Sequence, residues 1–335
     1  MKDVEPQAVL SPITEAAILL TLVVEPGAED EVRGALSEMS GLKRSVGFRL
    51  PEGELTCVVG IGADAWDRLF RLPHPAGLHP FRALAGAQHH APATPGDLFF
   101  HLRAHRLDLC FELAQRLTER LAGHARVVDE VHGFRSFDER DLLGFVDGTE
   151  NPEGASASTA VLIDAEDEPA NAGGSYVVVQ KYVHDLGAWD ALPVEQQERA
   201  IGRTKLSDIE MPDDVKPPNS HVALNTIVDD DGNERQIMRY NMPFGAVGTR
   251  EFGTYFIGYA ATPDVIERML SNMFIGNPPG TYDRILDFST ALTGNLFFVP
   301  TIGFLDDPPE PGAGSSQSAA VAEHDESLGI GNLDG

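Results

Sequence analysis

Leu143, Gly144, Phe145, Val146, Asp147, Gly148, Thr149, Glu150, Asn151 and Pro152 are the stretch of this chain with the most chemical promise. One carboxylate, Asp147, stands between two glycines, with apolar residues just before it and Asn-Pro closing the segment as a turn. Glycine opens backbone angles closed to other residues and lets a large ligand come near the main chain. An acid on a tight loop at the lip of an apolar core is well set for a shifted pKa and for proton transfer. The same residues also read as an Asx turn closing a strand, because Asp-Gly is a common turn signal. Other parts of the chain must separate the two readings.

Arg239, Tyr240 and Asn241 follow the apolar pair Ile237 and Met238. In an extended strand residues two apart face the same way, so Arg239 and Asn241 share one face and Tyr240 takes the other. An arginine turned inward from apolar neighbours needs a partner or an anion. On an edge strand the same face would simply meet water. His221 sits where the polar Asn219-Ser220 meets the apolar run Val222, Ala223 and Leu224. An imidazole at such a junction can reach into a cavity as an axial haem ligand, or it can be an ordinary loop or core histidine. His132 and His184 have similar settings, and local reasoning does not separate the three.

Several chemistries are disfavoured. There is no HExxH, no Cys/His zinc spacing, no GxSxG elbow, no Walker loop and no GxGxxG after a strand. Asp229, Asp230 and Asp231 precede Gly232 without the ligand spacing of an EF-hand loop, and read as a hairpin turn. Cys57 and Cys110 lie far apart in apolar runs and read as reduced core thiols of a cytosolic protein.

The elements that must position these residues follow from composition and periodicity. The 335 residues suffice for two domains, and 42% hydrophobic content supports a sizeable core. A formal net charge of -27 argues against nucleic acid and anionic membrane surfaces as partners. It suits a soluble protein with neutral or cationic partners. The acidic, proline-containing start is unlike a signal peptide, and no uncharged apolar stretch is long enough to span a membrane.

Strands are expected over 16–24, 55–61, 97–103 and 127–134, with helices over 29–39, 63–69 and 107–121. Leu109, Leu113, Leu117 and Leu121 form one face of the last helix. Strand, helix, strand, strand, helix, strand is the split pattern of a ferredoxin-like unit. Beyond Pro152 an exposed loop is expected to 174, then a strand over 176–183 and helical patterns over 187–192 and 194–202. A second polar loop runs over 207–219. Residues 222–228 and 235–242 read as a hairpin around Asp231-Gly232. A strand over 254–260, a helix over 263–274 capped by Thr262 and a strand over 295–299 complete a second α+β half. From Asp306 the composition turns to a polar linker, ending in Leu328, Ile330 and Leu333 spaced among glycines between Ser327 and Gly335. A short apolar segment that cannot fold alone suits a docking peptide, although a chance scatter of apolar residues in a tail reads the same way.

Taken together, Gly144-Phe145-Val146-Asp147-Gly148, Asn219-Ser220-His221, Arg239 with Asn241, and the run from Tyr282 through Asp283 to Phe288 resemble the motifs of dye-decolourising peroxidases. They occur in that family's order and at about its spacing, up to about Thr301, and the compact insertions resemble the bacterial B-type subfamily. The resemblance implies an α+β fold of two ferredoxin-like domains related to the dimeric α/β-barrel superfamily, over 1–145 and 146–305, with one haem b in the second. It implies His221 as the proximal iron ligand and Asp283 as acceptor of the ligand's other N–H, with Asp287 as the fallback. Asp147, Arg239 and Asn241 would surround the peroxide. Gly148, Thr149, Glu150, Asn151 and Arg239 would lie close to the haem.

The implied reaction oxidises dyes or phenol-like donors with hydrogen peroxide, through a high-valent haem. Asp147 would shuttle the proton, directly or through water, and Arg239 would stabilise the departing oxygen. Tyr182 and Trp189 are candidates for carrying electrons to bulky donors, beside a plain core-packing role. The C-terminal segment resembles the docking peptide of encapsulin cargo, with Asp334 a departure because lysine is common near there. Over 306–326 it would be a disordered linker and over 327–335 the peptide, placing the enzyme in the cytoplasm inside an encapsulin shell. Family resemblance also implies dimers, assembling further to hexamers. The rival functions are a haem or porphyrin carrier without significant turnover and a haem-free structural protein.

Overall fold

The computed structural model describes residues 4–312. The proposed docking segment 327–335 and most of the linker before it lie outside the described residues. The first half runs β1 (Ala16–Val24), α1 (Glu29–Ser37), α2 (Met39–Gly47), β2 (Thr56–Gly62), α3 (Ala63–Phe70), β3 (Leu84–Ala85), β4 (His90–Ala91), β5 (Leu98–Ala104), α4 (Leu107–Arg120) and β6 (Ala125–Phe134). The second half begins with α5 (Gly154–Val161), β7 (Ser175–His184), α6 (Leu186–Asp190), α7 (Val194–Ile201) and α8 (His221–Asn225). It continues through β8 (Ile227–Val228), β9 (Glu234–Arg235), β10 (Met238–Arg239), β11 (Met242–Ala246) and β12 (Glu251–Ala260). α9 (Asp264–Phe274), β13 (Ser289–Ala291), β14 (Asn295–Val299) and α10 (Ile302–Asp306) complete it.

A ten-stranded sheet runs β10-β12-β7-β14-β2-β5-β1-β6, with β11 also on β12 and β13 also on β7. Each half contributes the ferredoxin-like order, β6-β1-β5-β2 in the first and β14-β7-β12-β10 in the second. The halves join where β14 meets β2, through the pairs Phe297 with Gly62 and Phe298 with Ile61. At the opposite seam Gly133 of β6 lies so close to β11 that an added Cβ would stand 2.6 Å from Met242 Cβ. The sheet therefore curls back on itself. Its inner face packs Leu19, Phe99 and Val131 of one half against Val179, Ile257 and Phe297 of the other. The rings of Phe99 and Phe297 stack at 5.4 Å.

The outer face is covered by helices. Val32 and Leu36 of α1, Trp66 and Leu69 of α3, Leu113 and Leu117 of α4, and Ile266, Leu270 and Phe274 of α9 all enter one core. Each such side chain stabilises the fold by roughly 1.5–3 kcal/mol when fully buried. Gln7 supplies a further link. Its amide donates to the carbonyls of Val59 (2.9 Å) and Pro300 (2.8 Å) and accepts from the Val59 N–H (2.8 Å).

The structure departs from the sequence expectations at five places. The helix expected over 29–39 ends at Ser37, and a second helix starts at Met39. The chain turns at Glu38, whose carboxylate holds Arg120 of α4 at 2.7 and 2.9 Å. The expected loop after Pro152 contains α5, because Ser156 and Thr159 return their hydroxyls to the carbonyls of Glu153 and Ala155 and leave Ala157 and Val161 buried. The expected strand from Val222 is a helix, capped by Ser220, whose Oγ accepts from the Ala223 N–H. The hairpin shrinks to β8 on β9, and the rest of 235–242 splits into β10 and the start of β11. The ordered body also continues past 305, since the Gly312 N–H reaches the Phe70 carbonyl at 3.1 Å.

Gly133→Ala would press a methyl into Met242 at the seam and is expected to lower stability by roughly 1–3 kcal/mol. Gly41→Ala, in open space on α2, should raise stability by up to about 1 kcal/mol. Thermal denaturation of the two variants reads the contrast, and equal effects would contradict close packing at the seam.

Candidate functional site

A cavity of about 1410 Å³, its open mouth included, lies between β7 and β12 on one side and α8 and α9 on the other. Two strands, two helices and a loop all contribute to its walls, an extent suited to a broad ligand. Tyr182, His184, Thr254 and Phe256 of the sheet line it, with Ile266, Met269, Leu270 and Met273 of α9. Asp147, Gly148, Thr149 and Glu150 contribute the loop side, and His221 comes from α8.

The loop that carries Asp147 is held from several sides. Arg140 pairs with Val146 as an antiparallel bridge, and the Asp147 N–H donates to the Glu139 carbonyl at 2.9 Å. The Arg140 guanidinium donates to the carbonyls of Gly144 (2.9 Å) and Lys205 (2.6 Å). Leu143 and Phe145 are buried in a small core with Trp189, Ala200 and Ile201, and the indole of Trp189 donates to the Leu143 carbonyl at 2.9 Å. Gly144 and Gly148 both have left-handed φ, +89° and +84°. A Cβ on Gly144 would also meet Lys205 at 2.5 Å, so both glycines are required by backbone shape.

The alternation expected around Tyr240 is present. Arg239 and Asn241 line the cavity, while the Tyr240 hydroxyl donates on the opposite face to the carbonyls of Val9 and Ser11 at 2.8 and 2.7 Å. Asn241 is oriented at both ends. Its Oδ1 accepts from the Ile257 N–H of β12 (3.1 Å) and its Nδ2 donates to Asp147 Oδ1 (3.2 Å). Arg239 is fixed through its main chain by Asn151, which accepts from the Arg239 N–H and donates to the Arg239 carbonyl, both at 2.8 Å. Its guanidinium reaches only the Met269 sulfur, at 3.9 Å, and forms no ion pair among the described residues. A half-buried cation without a carboxylate partner is a ready anion site.

His221 opens α8, and its Nδ1 lies 2.7 Å from Oδ2 of the fully buried Asp283. Asp283 Oδ1 accepts from the Ile285 N–H at 3.0 Å. Asn225, one helical turn after His221, donates to the His221 carbonyl at 2.8 Å and approaches Asp283 Oδ2 at 3.4 Å. His221 Nε2 has no protein partner among the described residues. The three histidines are now distinct. His184 lines the cavity but both nitrogens are engaged, Nδ1 by Ser289 (2.8 Å) and Nε2 by Thr254 (2.9 Å), and burial pushes its pKa down to about 4. His132 pairs with Glu130 at the surface.

Electrostatics agree with this division. Burial raises the Asp147 pKa, opposed by the Asn241 hydrogen bond and the charges of Arg239 and His221. Burial lowers that of His221, but attraction and a hydrogen bond from Asp283 outweigh it and the net shift is upward. Arg239 is lowered by burial, with Asp147 opposing. Asp141 is pushed up to about 7 by burial, against the Phe145 N–H that it accepts and helped by the nearby Asp147.

The remaining candidates are placed as follows. Thr149 and Glu150 line the cavity while bonding Asp208 (2.9 Å) and Arg203 (2.7 Å). Asn151 braces Arg239 and is not on the cavity wall. Asp287 accepts from Tyr282 and approaches His89, not His221. Trp189 is fully buried against Phe145 and Phe288, and Tyr182 bonds Gln180, so neither is a surface residue. Cys57 and Cys110 are free, and burial pushes both thiols up to about 12. No helix among the described residues is long and apolar enough to cross a membrane. Asn225 and Asp141 escaped sequence reasoning. Reading 221–225 as a helix would have put Asn225 beside His221, four residues on.

An imidazole with one nitrogen tied to a buried carboxylate and the other free is the usual arrangement of a metal-ligating histidine. Apolar walls, a free cation and a carboxylate around the same large cavity fit an anionic, planar metal macrocycle.

Comparison with known proteins supports this reading. Residues 6–135 match the family described as Dyp-type peroxidase, N-terminal, and residues 138–304 match Dyp-type peroxidase, C-terminal. A dye-decolorizing peroxidase of Rhodococcus erythropolis is 60% identical over 330 residues, covering 98% of this chain and 96% of the relative. The encapsulated DyP-type peroxidase of Mycobacterium smegmatis, solved by cryo-EM, superposes with a TM-score of 0.89 at 62% identity, covering 91% of this chain and 98% of that one. A variant of DypB from Rhodococcus jostii RHA1 in complex with heme superposes with a TM-score of 0.88 at 56% identity, over 90% of this chain and 98% of the other. The chain therefore belongs to the Dyp-type peroxidase family, in its B-type branch, with both family domains present in order.

Proposed function

We propose that the cavity holds haem b and that the chain reduces hydrogen peroxide while oxidising dyes, phenols or similar donors one electron at a time. The observation that carries this is His221. Its Nδ1 is tied to a fully buried carboxylate, and its Nε2 is left free in the cavity that also receives Asp147, Arg239 and Asn241. Bound haem supplies an iron that takes two oxidising equivalents from peroxide and gives them up singly. His221 would hold that iron, and Asp283, bonded to its Nδ1, would fix the ring's tautomer and make it a stronger donor. Asp147 takes the proton of the inner peroxide oxygen and returns it to the outer one. Its raised pKa brings it towards the range where both steps are accessible. Arg239 is a fixed cation for the charge on the leaving oxygen, and Asn241 keeps Asp147 aimed. Gly148, Thr149 and Glu150 line the cavity and would flank the macrocycle, with Asn151 supporting Arg239 from behind.

The domain division is assigned at 145/146, with the haem in the second unit. The relative from Mycobacterium smegmatis is an encapsulated enzyme. The apolar residues Leu328, Ile330 and Leu333 at the end of a polar tail support the same packaging here, through Ser327 to Gly335, inside a cytoplasmic shell. Assembly as dimers or hexamers accompanies this reading.

Purified protein reconstituted with haem should show a Soret band that His221→Ala loses. A wild-type band in that variant would contradict the ligand assignment. Arg239→Leu should keep the haem but react with peroxide about 100-fold more slowly in stopped-flow absorbance, and an unchanged rate would remove Arg239 from its role. A chain that binds haem and shows no peroxide reaction at all would instead be a porphyrin carrier. Deleting residues from Ser327 onward should abolish co-purification with the shell protein and leave peroxide-dependent dye oxidation intact. Persistent co-purification would refute the docking segment.

A further inference from the structure

Reducing one hydrogen peroxide to two waters consumes two electrons and two protons. On the peroxidase reading, these protons must reach Asp147 from solvent while the macrocycle fills the main cavity. A second, smaller cavity of about 400 Å³, its open side included, touches the same cluster. It is lined by Asp147, Arg239 and Asn241, and also by Arg135 and Glu139, which are partly exposed and ion-paired with each other. About 30 Å³ of it is open to the centres of water-sized bodies, and roughly 10–15 Å³ suffices for one water, so there is room for one or two.

Asp141 is the titratable group, besides Asp147 and Arg239, that lines both cavities. The backbone puts it beside Asp147. The Asp141 N–H donates to the Phe145 carbonyl and the Asp147 N–H to the Glu139 carbonyl, both at 2.9 Å, so residues 139–147 form a small hairpin. Asp141 lies opposite Phe145, and Asp147 is two residues further on the same face. Such diagonal neighbours sit roughly 7–8 Å apart. One oxygen of Asp141 accepts from the Phe145 N–H at 3.0 Å.

The cations near Asp141 are committed elsewhere. Arg135 pairs with Glu139, Arg140 bonds the carbonyls of Gly144, Lys205 and Leu206, and Lys205 Nζ bonds Gln197. Arg203 pairs with Glu150 and Asp208, Arg239 faces Met269, and His221 is held by Asp283. Among the described residues none forms an ion pair with Asp141, so only main-chain N–H groups, those of Phe145, Leu143 and Gly144, favour its carboxylate form.

We propose that Asp141 is the proton-delivery group of the site, taking protons from water in the second cavity and passing them to Asp147. In each transfer the Asp141 acid gives up its O–H proton through water to the Asp147 carboxylate and is reprotonated from the solvent side. The electrons come from the donor, so Asp141 changes only its protonation. Its pKa near 7 means that the acid form is populated below that pH and is lost as the pH rises through it.

The test uses the haem-loaded protein with Asp141→Asn, which keeps the acceptor for the Phe145 N–H, and with Asp141→Glu. Turnover of the Asn variant should fall at least about tenfold, with a larger solvent deuterium isotope effect. Infrared spectra of the wild type should show a protonated-carboxyl carbonyl band that disappears as the pH rises through about 7. That band should be absent in the Asn variant and should return, with the rate, in the Glu variant. Wild-type turnover and pH dependence in the Asn variant would overturn the proposal, as would the absence of the band in the wild type or its persistence in the Asn variant. A wild type that shows the band but never reacts with peroxide would overturn the peroxidase reading, and this inference with it.

Discussion

The contact between His221 and Asp283 is the interaction on which the site depends. Taking a carboxylate fully out of water costs several kcal/mol unless its lone pairs are satisfied. Asp283 meets this requirement with the Ile285 N–H on one oxygen and the His221 ring, supported by Asn225, on the other. That arrangement requires α8 to begin exactly where the polar loop ends, since Ser220 caps it and His221 is its first residue. It also requires the segment after α9 to return past α8, which the Arg284 N–H bond to the Asn219 carbonyl records. Removing either member leaves an unpaired polar group at the wall of a large cavity.

The second constraint is the strand period of two. Every strand near the site has to serve a dry interior on one face and the cavity on the other. Ile257 packs inside while Phe256 lines the cavity, and Tyr240 turns inward between Arg239 and Asn241. A slip of one residue in β10 would bury the guanidinium in the apolar interior and put the Tyr240 ring in its place. The apolar interior therefore fixes the polar site from behind.

Much of this was legible in the residues. The alternation around Tyr240, the loop around Asp147 and the amphipathic face of α4 all rest on local periodicity, and each is present. The misses share a physical cause. α8 is five residues long, below the length at which a 3.6-residue period can be told from an apolar strand. α5 carries its helical bias in Ala, Ser and Thr, whose hydroxyl bonds to the backbone are invisible in a polarity pattern. The bond between His221 and Asp283 spans 62 positions, and nothing local to either residue announces it. Only motifs read together across the chain brought those two residues to one site. Asp141 escaped because an acid in a tight turn has an ordinary structural explanation, which it also fulfils.

Gln7 has a topological meaning. By bonding both Val59 and Pro300 it brings the beginning of the described chain against the segment between β14 and α10, and the Ile302 N–H on the Glu5 carbonyl at 3.0 Å repeats the contact. The folded body is thus nearly a closed loop of polypeptide. With the first and last described residues linked, a break at an exposed tip such as Gly232 would leave every strand its neighbours.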